Sequence, residues 1–228
     1  KKLFDLGFSV IGFDLATTLD KSSGVCLASR LEDLVSCDTV ILMLPDGTTV
    51  ANVATSLASA GFRGLVIDMS SSHPRGTVAL GEQLGKKSIR LIDAPVSGGQ
   101  KKAAIGTLMI MAGGEKEDLD EIRALLVCFG NVAHVGPLGA GHAMKALNNY
   151  VSAAGLLASM QALATAQSVG IHPETFAKVI NGSTGRNNTT EVKLEPFIIS
   201  RSYASGFSLQ LMAKDVGIAS ELITNAGF

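Results

Sequence analysis

Residues 131–149 read NVAHVGPLGAGHAMKALNN. The first six, NVAHVG, form a short apolar run of strand type, Pro137 stops it, and from Gly139 onward the spacing is helical. On a helix Gly141, Lys145 and Asn149 fall four residues apart and share one face, with Asn148 close beside them. Behind this polar stripe, Ala146–Ile171 contains no Asp, Glu, Lys, Arg or His. A lysine held at the opening of such a run has either a partner or a job.

Towards the amino terminus, short Val/Ile/Leu-rich runs alternate with amphipathic ones. FSVIGFD (8–14), TVILML (39–44), GLVIDMS (64–70), IRLIDAPV (89–96), TLMIMAGG (107–114) and NVAHVG (131–136) are near-continuous apolar runs, as expected of strands buried on both faces. ASRLEDLVS (28–36), TTVANVATSLASA (48–60) and EKEDLDEIRALLVCF (115–129) read as helices. The alternation predicts a mainly parallel, doubly wound α/β sheet. Past Pro137 the pattern is helical throughout, over 139–169, 173–181, 189–200 and 208–225. The chain therefore divides into an α/β domain over 1–137 and a helical domain over 138–228.

Composition narrows the function. Of 228 residues, 46% are hydrophobic and 17% charged, with a net charge of −1, so the chain can bury a sizeable core and carries no basic block suited to nucleic acid. Length alone would let 146–171 cross a membrane, but Asn148, Asn149, Ser152, Ser159, Gln161, Thr165, Gln167 and Ser168 argue for a buried small-residue helix packed by other helices. The three scattered cysteines, Cys26, Cys37 and Cys128, fit a reducing compartment and a cytoplasmic protein, or an organellar one if a leader precedes Lys1.

Ligands of open α/β sheets bind beyond the carboxyl ends of the strands. Four such ends carry polar residues: Asp14, LPDGTT (44–49), DMSSSHP (68–74) and DAPVSGG (93–99). Asp14 suits the ribose hydroxyls of a dinucleotide, or the capping of the next helix. The serines at 70–72 suit a cofactor amide, or the closing of a turn. Ser97, Gly98 and Gly99 present a hydroxyl and backbone N–H groups suited to a carboxylate, or form a plain glycine turn. His142, at the start of a helix, reads as solvated. His73, His134 and His172 have no metal-ligand spacing, so no metal is expected. APVSGG lacks the turn of an activated serine.

DAPVSGG, GTLMIMAGG and GAGHAMKALNN, in that order, resemble the β-hydroxyacid dehydrogenases, over essentially the whole chain. The resemblance implies a Rossmann-type cofactor domain followed by a helical domain, with the active site between them. It implies NAD as cofactor, with NADP as the alternative, a small hydroxy-acid substrate and a homo-oligomer. It matches Lys145 to the family's catalytic lysine, Asn149 to its substrate-binding amide, and Ser97, Gly98 and Gly99 to its carboxylate site. Leu44, Pro45, Thr49 and Ser71 fall where the family contacts the nicotinamide cofactor, and Lys214 matches a lysine that closes over it. Asp14 ends the candidate strand where a carboxylate favours the free 2′-hydroxyl of NAD. The family pattern begins with a strand and a G-x-G-x-x-G turn that would precede Lys1, and it continues past Phe228. On this reading the sheet lacks its first strand and the chain is a fragment, inactive by itself. Lys102 stands where the family usually has glycine.

A positioned lysine suits the chemistry. Oxidising a β-hydroxy acid releases a hydroxyl proton that an acid/base must handle, while the cofactor carries the hydride. Gly141, one turn earlier, would leave room for the substrate. The sequence does not choose among 3-hydroxyisobutyrate, tartronate semialdehyde and threonate as substrate. The competing reading is a non-catalytic relative that binds a nucleotide or partner on the same scaffold. Lys145, Asn149 and Lys214 together favour the enzyme.

Overall fold

The structure, a computed structural model, describes residues 2–15 and 25–228. By compactness the chain forms two units, Lys1–Lys145 and Ala146–Phe228, and the division falls inside a long helix.

The first unit opens with a short helix α1 (Lys2–Asp5) and a parallel pair, β1 (Ile11–Gly12) and β2 (Cys26–Leu27). Its main sheet contains β3 (Thr39–Leu42), β4 (Leu65–Asp68), β5 (Arg90–Asp93), β6 (Val96–Ser97), β7 (Leu108–Gly113) and β8 (Gly130–Gly136). The order is β3-β4-β5-β7-β6, with β8 also paired to β7. Helices α2 (Gly47–Ala60), α3 (Pro74–Gly85), α4 (Gly99–Ile105) and α5 (Lys116–Leu126) connect the strands.

Period-2 alternation explains the burial. In β4 every residue is buried. Val66 packs with Val50, Leu57, Phe62, Leu80 and Leu84, which come largely from α2 and α3. Leu65 and Ile67 pack with Ile92, Ile110, Leu119, Ile122 and Leu126, the last three from α5. Alternate side chains point to opposite faces, so the sheet is covered on both sides. Each such aliphatic side chain contributes about 1.5–3 kcal/mol on full burial.

The sheet is parallel through β3, β4 and β5, but β7 runs antiparallel to both β5 and β6. The expected single strand over 89–96 is broken, because Pro95 has no N–H for a ladder. The chain then turns through β6 and α4 and returns along β6 as β7, which is why the sheet is mixed. ASRLEDLVS forms only a 3₁₀ turn, Leu31–Ser36, whose entry is held by Asp33 Oδ2 accepting from Ser29 N and Arg30 N. α3, outside the helices read from sequence, starts at Pro74, where a missing N–H costs nothing.

α6 (Ala140–Ser168) runs from the first unit into the second. The second unit adds α7 (Pro173–Asn181), α8 (Asn188–Val192), a π-helical turn (Leu194–Ile199) and α9 (Leu209–Asn225). Its core joins Leu163, Ala177 and Leu194 with Phe176, Ile180, Ile198 and Ile199. The helix expected over 189–200 is split. Pro196 cannot donate within it, and the wider turn is closed by Ile198 N to Lys193 O at 3.3 Å and Ser200 N to Glu195 O at 3.2 Å. α6 is not buried along its length as its composition suggested: Val151 is 69% exposed and Leu157 60%. Among the described residues no helix is long and apolar enough to cross a membrane.

Candidate active site

The carboxyl ends of β3 and β4 are tied together by serines. Leu44 N donates to Ser70 Oγ at 2.9 Å. Ser70 N and Ser72 Oγ both donate to the buried Asp68, at 2.9 and 3.0 Å. Two of the three serines are thus spent on framework, with the half-buried Ser71 between them. Asp46 caps α2, its Oδ1 accepting from Thr49 N at 2.8 Å and Thr49 Oγ1 at 3.0 Å. Leu44 and Thr49 are half-buried and Pro45 is exposed. Asp14 stands exposed two residues past β1.

Beyond β5 the chain builds a turn that needs glycine. Ser97 closes β6, and Gly98 and Gly99 follow with φ of 136° and 66°. Both are exposed. A Cβ at Gly98 would stand 2.7 Å from Lys102 Cδ, so the lysine stem packs against bare backbone there.

The first turn of α6 is anchored on β5. Asp93, fully buried, accepts from Gly139 N through Oδ1 and from His142 N through Oδ2, each at 2.7 Å. Gly141 is pressed against this anchor: a Cβ would collide with Met111 O and lie 2.8 Å from Asp93 Oδ2. The absent side chain therefore lets the helix approach the sheet and does not make room for substrate. His142 is 1% exposed, contrary to the solvated position expected of it. Its Nδ1 meets Thr77 Oγ1 at 2.8 Å and lies 3.6 Å from Asp93 Oδ2, and its Nε2 lies 3.6 Å from Asp68 Oδ2. Burial pushes the Asp93 carboxyl above the usual range, opposed by His142 and by the backbone N–H groups it accepts from. Lys145, one turn further along, is half-buried.

In the second unit Asn149 is buried, and its Nδ2 donates to Asp215 Oδ2 at 2.5 Å. Asn148 Nδ2 donates to Asn149 Oδ1 at 3.0 Å. Asp215 is 2% exposed and lies 4.0 Å from Lys214 Nζ. Asp215 thus joins Asn149 to Lys214, two residues distant in sequence. Sequence reasoning missed Asp215, for which adjacency to Lys214 was the only signal, and missed the buried set Asp68, Thr77, Asp93 and His142.

Residues 1–136 match a family described as the NAD binding domain of 6-phosphogluconate dehydrogenase, and 139–228 one described as the NAD-binding of NADP-dependent 3-hydroxyisobutyrate dehydrogenase. The chain is 35% identical over 225 residues to 2-(hydroxymethyl)glutarate dehydrogenase of Eubacterium barkeri, covering 94% of this chain and 74% of that protein. It belongs to the β-hydroxyacid dehydrogenase family. NAD-dependent L-serine dehydrogenase of Pseudomonas aeruginosa is 33% identical, with 96% of this chain and 78% of that protein aligned. The structure of Mycobacterium tuberculosis 3-hydroxyisobutyrate dehydrogenase with L-serine superposes with a TM-score of 0.89, at 31% identity, over 100% of this chain and 82% of that one.

As a β-hydroxyacid dehydrogenase the protein is an NAD(P)-dependent oxidoreductase. The groups at the strand ends fit such a cofactor. The Leu44 backbone is fixed by Ser70, the loop at Pro45 is open to solvent, and the Leu44 carbonyl with the Thr49 and Ser71 hydroxyl oxygens supplies acceptors suited to the N–H groups of a carboxamide-bearing ring.

Proposed function

We propose that this β-hydroxyacid dehydrogenase oxidises a small 3-hydroxyisobutyrate-like acid, with Lys145 as acid/base. The observation that carries the reading is the α6 stripe: Lys145 and Asn149 stand one turn apart, and Asn149 is held by a buried carboxylate that also neighbours Lys214. Held by Asp215 and Asn148, Asn149 still has one N–H and one lone pair to offer a substrate hydroxyl. Ser97, with the backbone of Gly98 and Gly99, receives the carboxylate. Lys145 takes the hydroxyl proton in oxidation and returns it in reduction, and as ammonium it stabilises alkoxide charge. The bound nicotinamide supplies the hydride acceptor. Leu44, Pro45, Thr49, Ser71 and Lys214 hold that cofactor, and Asp14 favours NAD over NADP.

The named relatives act on 2-(hydroxymethyl)glutarate, L-serine and 3-hydroxyisobutyrate, which share a carboxylate with a β-hydroxyl. That shared unit is the substrate class proposed here. The exposed apolar residues Val151, Leu157 and Met160 on α6 support a homo-oligomer, and the unpaired cysteines support a cytoplasmic setting. The test is a panel of these acids with glycerate, threonate and a 2-hydroxy acid such as lactate, each with NAD and NADP, using the full-length parent. Nicotinamide reduction by β-hydroxy acids is expected, faster with NAD. Nucleotide binding without reduction by any β-hydroxy acid would make the protein a non-catalytic relative.

A further inference from the structure

Lys193 follows α8, and its Nζ reaches Ser152 Oγ at 3.4 Å. Ser152 lies three residues beyond Asn149 and seven beyond Lys145 on α6, so the three share one helix face, with Ser152 about 4.5 Å further along the axis than Asn149. The Lys193 side chain therefore brings a second cation to the same stripe. Burial alone pushes its pKa down, with no carboxylate among the described residues close enough to offset the cost. A half-buried ammonium with only a hydroxyl as partner has lost part of its hydration, and a bound anion would offset that loss. α8 is anchored at its other end by Asn187, which caps it and donates to Ser159 Oγ at 3.2 Å, so the position of Lys193 relative to α6 is built in.

We propose that Lys193 is a specificity-determining residue that pairs with a second carboxylate on the β-hydroxy acid. The inference rests on the reading of the α6 stripe as the substrate site. A substrate whose hydroxyl lies at Lys145 and Asn149 extends its second carboxylate along the helix, past Ser152, to the Lys193 ammonium. Monocarboxylic acids leave that ammonium uncompensated and bind less well.

The test compares 3-hydroxyisobutyrate with the analogue whose methyl group is replaced by a 2-carboxyethyl group, using the parent, Lys193→Met and Lys193→Arg. For the parent, kcat/KM should favour the diacid. Lys193→Met should lower the diacid-to-monoacid ratio at least tenfold, through KM, and Lys193→Arg should restore most of it. A ratio unchanged in Lys193→Met, or a loss confined to the KM of the cofactor, overturns the proposal while leaving the dehydrogenase reading intact. If the parent oxidises neither acid, the 3-hydroxyisobutyrate-like substrate reading fails on its own. Calorimetric titration of the diacid then decides: binding weakened at least tenfold in Lys193→Met upholds the anion site, and equal or undetectable binding removes it.

Discussion

Asp93 holds the first turn of α6 through His142, whose backbone N–H it accepts at 2.7 Å. The same carboxylate takes Gly139 N, so a buried acid on β5 does for this helix what a capping residue normally does locally. Asp93→Asn keeps the shape but turns an N–H towards one of these donors. It should cost about 1–3 kcal/mol, the penalty of an unmade buried hydrogen bond. Urea melts measure it.

The pH dependence of that penalty follows from the same burial. The folded-state pKa of Asp93 is raised above 3.8, so the folded protein holds the proton more tightly than the unfolded chain. The contribution of Asp93 is fully present below 3.8 and is lost as pH rises through the folded value. The stability gap between parent and Asp93→Asn should therefore shrink from acid to neutral pH. A gap that widens would show that the hydrogen bonds outweigh desolvation.

Gly141→Ala tests the close approach of α6 to the sheet. Its methyl group would meet Met111 O and Asp93, both backed by rigid backbone. The helix start must move, at about 1–3 kcal/mol for such overpacking. Because Lys145 rides one turn further on, kcat should fall as well. A variant with parental stability would mean that the turn has slack.

Much of this was legible in advance, and the rest failed for definable reasons. The strands over 39–44, 64–70 and 107–114 were found because burial on both faces leaves a continuous apolar run. The antiparallel return of β7 was not, since strand direction depends on a connection whose course Pro95 and the two glycines redirect. Lys145, Asn149 and Lys214 were singled out by motif. His142 was misplaced because helix periodicity says nothing of the two strand-end carboxylates, Asp68 and Asp93, that lie close to it across the fold. Lys193 gave no signal, because its meaning comes from Ser152, forty-one residues earlier in the chain.

Asn149→Ala separates binding from framework. It leaves the buried Asp215 without its amide partner and should cost about 1–3 kcal/mol of stability. It should also raise the KM for the hydroxy acid while the KM for the cofactor stays near the parental value. An effect on stability alone would confine Asn149 to holding α9.

Asp14→Ser should narrow the preference for NAD over NADP by roughly tenfold, about 1.4 kcal/mol. The ratio of kcat/KM values for the two cofactors measures it. A parent enzyme using both equally would remove Asp14 from the cofactor site.

The most direct test is turnover by Lys145→Ala, followed as nicotinamide reduction at saturating hydroxy acid and cofactor. Loss of a positioned acid/base should lower kcat by at least about a hundredfold, with cofactor affinity unchanged. Turnover at the parental rate would contradict the assignment of Lys145 as the acid/base.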